Sequence, residues 1–126
     1  MALILDTGAL IEFDRGNRKV AALVKAAEQR GETVLASSGC VAQAWRGGRG
    51  RQALLARLLK GVDERGIGPE VSRVIGALCV AANRYDVVDG HVALLADAGD
   101  LVLTSDVSDL KALLRARAVT AAVESC

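Results

Sequence analysis

Short apolar runs alternate with stretches of helical periodicity along almost the whole of this chain, and few folds accept that order. Leu3 to Leu5 is an apolar run closed by Asp6, and Gly8 to Arg15 then reads as a short helix. Val20, Leu23, Val24 and Ala27 form the stripe of a second amphipathic helix that stops near Gly31. Thr33 to Ala36 reads as a buried strand. Ser37 or Ser38 caps a helix running through Trp45, and the run Gly47-Gly48-Arg49-Gly50-Arg51 breaks it. Leu54, Leu55, Leu58 and Leu59 mark one face of the next helix, and Val62 to Ile67 reads as a short, more exposed strand. Pro69 after Gly68 opens a helix where its missing N–H does no harm, and Val71, Val74, Ile75, Leu78, Cys79 and Ala82 give that helix the most regular stripe in the sequence. There follow a helix from about Val87 to Ala98, a buried strand from Leu101 to Thr104, a helix opened by Asp106 and bearing Leu110, Leu113 and Leu114, and an edge strand from Ala118 to Val123.

Such alternation predicts an α/β fold of three layers, a mainly parallel sheet of about five strands with helices on both faces. The 126 residues, 52% of them hydrophobic, are enough for one core, so a single domain over residues 1–126 is expected. No apolar run approaches the roughly 20 residues of a bilayer span, and the N-terminus lacks a basic region and a cleavage site, so neither membrane insertion nor secretion is expected. Cys40, Cys79 and Cys126 are far apart, with only His91 to help them bind a metal. That disfavours zinc and disulfides and suits a reducing cytoplasm. A net charge of +1 gives no bulk case for a nucleic-acid partner, and one Trp, one Tyr and one Phe give no stacking platform. Any RNA recognition has to rest on phosphates and shape.

In parallel sheets ligands gather beyond the carboxyl ends of the strands, near the point where strand order reverses. Two strands here end in acids, Leu3-Ile4-Leu5-Asp6 and Leu101-Val102-Leu103-Thr104-Ser105-Asp106, which converge if the strands are neighbours. Asp89 starts the preceding helix, and Asp109 lies one turn beyond Asp106. Clustered carboxylates repel one another unless a divalent cation supplies the missing charge, and an all-oxygen set suits Mg²⁺ or Mn²⁺. The competing reading is helix capping, for which Asp86 with Asp89 and Asp106 with Asp109 have suitable spacing.

The segments Leu5-Asp6-Thr7-Gly8-Ala9-Leu10-Ile11, Asp86-Val87-Val88-Asp89-Gly90-His91-Val92 and Val102-Leu103-Thr104-Ser105-Asp106-Val107-Ser108-Asp109-Leu110 resemble, in order and spacing, the three acidic blocks of PIN-domain VapC toxins. The resemblance implies that Asp6, Asp89 and Asp106 are catalytic, metal-site carboxylates, with Asp109 an auxiliary acid. Thr104 and Ser105 match the hydroxyl pair that orients the last acid or a metal-bound water. It implies a Mg²⁺- or Mn²⁺-dependent ribonuclease that leaves a 5′-phosphate and a 3′-hydroxyl, self-association as a homodimer, and a VapB-like antitoxin partner. Leu54, Leu55, Leu58 and Leu59 offer a groove wall for an antitoxin helix, although such a stripe also serves as plain core.

The sequence departs from the family where a helix glutamate is usual. Gln43 stands there, a side chain that brings a carbonyl oxygen but neither charge nor a base. Glu12 offers partial compensation or is a solvated surface charge, and His91 is expected to be a core or surface residue without a partner. Arg15, Arg46, Arg49 and Arg51 are candidate RNA contacts, with Arg18 and Lys19 also near the first acidic block. Two other readings stay open. A PIN-like module weakened by Gln43 would bind RNA or antitoxin without efficient cleavage. Asp6-Thr7-Gly8 also matches the signature of retroviral-type aspartic proteases, which are all-β, and circular dichroism separates that fold from this one.

Overall fold

The computed structural model describes residues 1–47 and 52–126. Five strands form a single all-parallel sheet: β1 (Leu3–Leu5), β2 (Val34–Ser37), β3 (Asp63–Arg65), β4 (Leu101–Thr104) and β5 (Ala122–Ser125), in the order β3-β2-β1-β4-β5. Among the described residues the helices are α1 (Thr7–Asp14), α2 (Arg18–Gln29), α3 (Ser38–Ala44), α4 (Ala53–Leu59), α5 (Pro69–Ala82), α6 (Val87–Leu95) and α7 (Val107–Arg117). No described helix is long and apolar enough to cross a membrane.

Helix α1 packs against α2, α3 and α4, while α5, α6 and α7 pack against one another. The right-handed rule for parallel crossovers places the first group on one face of the sheet and the second on the other. The central strands are covered on both sides, which is why Leu3, Ile4 and Leu5 are all buried rather than alternating. Leu35, Ala36, Val102 and Leu103 continue that core, and Leu10, Leu55, Ile75, Val92 and Leu110 reach it from the helices. At one edge β3 exposes Asp63, Glu64 and Arg65, a charged border that discourages pairing with another sheet.

The α/β class, the sheet and the covering of both faces match the sequence reading. Two boundaries differ by more than two residues. Helix α6 stops at Leu95, not Ala98, because the Arg117 guanidinium reaches across from α7 to the Ala93 carbonyl (2.7 Å) and the Ala96 carbonyl, satisfying acceptors at the end of the helix. The last strand starts at Ala122, not Ala118, because Ala118 takes a left-handed conformation (φ 56°) that closes α7. The Asp-Thr-Gly protease reading is also overturned: Asp6-Thr7-Gly8 lies at a strand-to-helix junction of a parallel α/β sheet, not in an all-β fold.

Candidate functional site

Strand order reverses between β1 and β4. The chain leaves β1 towards β2 and β3 on one side, then crosses to β4 on the other. Asp6 directly follows β1, and Asp106 follows β4 with Ser105 between, so both sit at the crevice that this reversal opens. One glycine makes the junction tight. A Cβ on Gly8 would meet the Ser105 side chain at 2.6 Å and the Ser105 backbone nitrogen at 3.3 Å, so the β4–α7 connection rests directly on the first turn of α1. Replacing Gly8 by Ala is expected to cost about 1–3 kcal/mol of stability through overpacking. Thermal melts should recover part of that loss when Ser105→Gly is added; no recovery would mean that this contact is not the cause.

Asp6 is buried and has two structural tasks. One carboxylate oxygen caps α1 by accepting the Ala9 N–H at 3.0 Å. The other accepts the Thr104 hydroxyl and, at 3.3 Å, the Ser105 N–H. Thr104 Oγ1 in turn accepts the Asp106 N–H at 2.8 Å, so one hydroxyl ties the first acid to the backbone of the last. Burial pushes the Asp6 carboxyl above its ordinary range, and the hydrogen bonds only partly oppose it.

Asp89, Asp106 and Asp109 each place a ligand atom within 4.8 Å of the others. Among the described residues this is the only such group of three or more His, Cys, Asp or Glu side chains. Asp86 takes the capping task, accepting the Asp89 N–H at 3.0 Å, which leaves the Asp89 carboxylate for the cluster. Capping spacing therefore holds for Asp86. It fails for Asp106, whose side chain makes no capping bond although it precedes α7. Asp89 is buried, and its Oδ2 has no hydrogen-bond partner. Burial, then the charges of Asp86, Asp106 and Asp6, push its carboxyl up to about 7. A hard divalent cation is what such a set lacks. It would take the orphaned oxygen as a ligand and relieve the repulsion, so the residues present fit Mg²⁺ or Mn²⁺.

Of the four acids expected at a metal, Asp89, Asp106 and Asp109 come together. Asp6 stands beside them, outside the 4.8 Å group but near enough for its charge to act on Asp89. Ser105 is exposed and touches the site through its backbone, whereas Thr104 is fully buried. Gln43 is exposed on α3 and accepts the Thr7 hydroxyl at 2.5 Å, one residue from Asp6. Glu12 is engaged elsewhere, with Asn17 at 3.1 Å and Arg15 at 3.4 Å, and makes no bond to the site. His91 is buried but has a partner after all, Ser37 Oγ at 2.6 Å from its Nδ1. Cys40, Cys79 and Cys126 are free, and burial pushes the Cys40 thiol up to about 11, leaving it unreactive at neutral pH.

Arg15 and Arg46 line one cleft of about 250 Å³ with Ile11, Asp14, Gln43 and Gln52. Arg49 and Arg51 lie outside the described residues. Lys19 is occupied at the far sheet edge by Glu124 and the Ser125 carbonyl. Leu55 and Leu58 are core, whereas Leu54 is exposed and helps line a groove of about 440 Å³ with Phe13, Val24, Leu58 and the charged Lys25 and Arg57. The sequence reading missed Arg84, whose Nε donates to Asp109 Oδ1 at 2.8 Å. Only its place just before the second acidic block could have drawn attention to it.

No family model matches the chain, and no curated protein matches it in sequence. Among solved structures, the whole chain matches 99% of a chain in the crystal structure of VapBC2 from Rickettsia felis bound to a DNA fragment from their promoter, with a TM-score of 0.70 and 12% identity. At that identity the likeness establishes the fold, the PIN-like arrangement that the sequence resembles.

Proposed function

We propose that this chain is a metal-dependent ribonuclease of the VapC type, a single PIN-like domain that cleaves RNA phosphodiester bonds and is held inactive by a VapB-like antitoxin. The observation that carries the reading is the buried, unpartnered Asp89 Oδ2 within a knot of three carboxylates at the sheet's reversal point. Asp89 and Asp106 would hold the cation, Asp109 would close the rim, and Asp6, oriented by Thr104, would complete the acidic wall. Bound there, Mg²⁺ or Mn²⁺ supplies Lewis-acid activation of water and charge for the departing oxygen. The attacking water oxygen ends on the 5′-phosphate, the P–O3′ bond breaks, and the 3′-oxygen takes a proton.

Arg15 and Arg46 support an RNA path alongside Gln43, and Arg49 and Arg51 belong to the same proposal. The groove beside Leu54 suits an amphipathic helix and is the proposed antitoxin seat. Exposed Val74, Val80, Tyr85 and Val87 give apolar surface for a homodimer. A reducing cytoplasm is the compartment that fits three free thiols.

The test is cleavage of a structured RNA by the purified protein. Cuts should appear with Mn²⁺ or Mg²⁺, stop with EDTA, and leave 5′-phosphate ends. Undiminished cutting in EDTA, or 2′,3′-cyclic phosphate ends, would reject the mechanism.

Gln43 favours one second reading, a PIN-like module with weakened catalysis, because the neutral amide adds no charge to the acidic wall. Gln43→Glu keeps an acceptor for the Thr7 hydroxyl and adds a charge near the positive end of α1. Isothermal titration of Mn²⁺ is expected to show several-fold tighter binding, with faster cleavage. Cleavage by the variant alone would establish the weakened module.

A further inference from the structure

We infer that Arg84 is the residue that receives an RNA phosphate at the rim of the acidic centre, with Asp109 as its anchor; the inference rests on the ribonuclease reading. Five acids crowd this corner, Asp6, Asp86, Asp89, Asp106 and Asp109, and a phosphodiester has to approach against their charge. A cation inside the cluster offsets part of that repulsion. Outside it, the Arg84–Asp109 pair is the only ion pair made by any of the five acids among the described residues.

The guanidinium is held ready for this task. Asn83 ends α5 in a left-handed conformation (φ 53°), and the Arg84 N–H then returns to the Cys79 carbonyl at 3.1 Å, fixing the base of the side chain. Nε donates to Asp109 and Nη1 to the Asn83 carbonyl at 3.1 Å. The Nη2 end has no acceptor among the described residues, and the side chain is 37% exposed. Arginine presents five donors in a rigid fork, so a fork pinned through two nitrogens offers its third to a phosphate oxygen without further ordering. Asp109 therefore serves two neighbours, the carboxylate cluster and the arginine.

The test measures anisotropy of a short fluorescein-labelled RNA in Ca²⁺ across a salt series, for the wild type, Arg84→Gln, Arg84→Lys and the control Arg30→Gln, an exposed arginine just after α2 paired with Glu32. Arg84→Gln should weaken binding and flatten the dependence of log K on log salt by about 0.7, the loss of one phosphate contact to a single strand. Arg84→Lys should keep the slope and recover part of the affinity, and Arg30→Gln should leave both unchanged. Mn²⁺ titration of Arg84→Gln should show binding no weaker than in the wild type. An unchanged RNA slope with weakened Mn²⁺ binding would make Arg84 a structural support for Asp109 and overturn the inference. A wild type that binds Mn²⁺ but neither binds nor cuts RNA would overturn the ribonuclease reading itself.

Discussion

Asp89→Asn is expected to raise the melting temperature of the metal-free protein by several degrees near pH 8, while removing Mn²⁺ binding and RNA cleavage. The wild-type carboxyl titrates near 7 in the fold against 3.8 for the ordinary group, chiefly because burial and neighbouring acids oppose its charge. A carboxyl raised in this way binds more protons folded than unfolded between those two values. Stability therefore falls as pH rises from about 4 to about 7 and levels off above. Asn never carries that charge, so the variant should gain most near pH 8 and little near pH 5, where Asp89 is already protonated. Each ~1 kcal/mol moves the midpoint of a chain this size by about 4 °C, which differential scanning calorimetry resolves easily. The metal has the opposite dependence. Mn²⁺ competes with the Asp89 proton, so its apparent affinity should rise with pH up to about 7 and flatten beyond. A variant destabilised equally at both pH values would show that Asp89 is a structural acid.

Asp6→Asn should lower cleavage by about a hundredfold or more while the protein stays folded. The carboxylate accepts from Ala9, Thr104 and Ser105, and an amide can keep the cap on Ala9 but must turn its NH₂ towards two donors. The resulting loss of stability is about 1–3 kcal/mol, small enough for circular dichroism to remain native. Because Thr104 also accepts the Asp106 N–H, the disturbance passes to the last acid. Full activity in a folded Asp6→Asn protein would remove Asp6 from the machinery.

Much of this site was legible from local pattern. Apolar runs closed by Asp6 and Asp106 announced buried strands whose ends carry acids, and Asp86 with Asp89 announced a helix start. What local pattern does not contain is which strands lie side by side. Asp6 and Asp106 converge only because β1 pairs with β4, across almost the full length of the chain. For the same reason the Thr104 hydroxyl on Asp6, the Arg84 bond to Asp109 and the Ser37 bond to His91 could not be read: each joins residues far apart in sequence. Capping spacing was ambiguous in principle, since Asp at a helix start can cap or face outward. Asp86 caps, whereas the Asp106 side chain makes no capping bond and its backbone N–H is taken by the Thr104 hydroxyl. The early end of α6 has a similar origin, an arginine arriving from α7 that no periodicity in α6 foretells.

Anomalous diffraction from a crystal soaked in Mn²⁺ tests the metal centre most directly. The expected result is a peak bonded to Asp89 Oδ2 and the Asp106 carboxylate, absent from a crystal of Asp89→Asn. A peak confined to other surface acids, or none at millimolar Mn²⁺ while the Asp89 oxygen stays unpartnered, would contradict it.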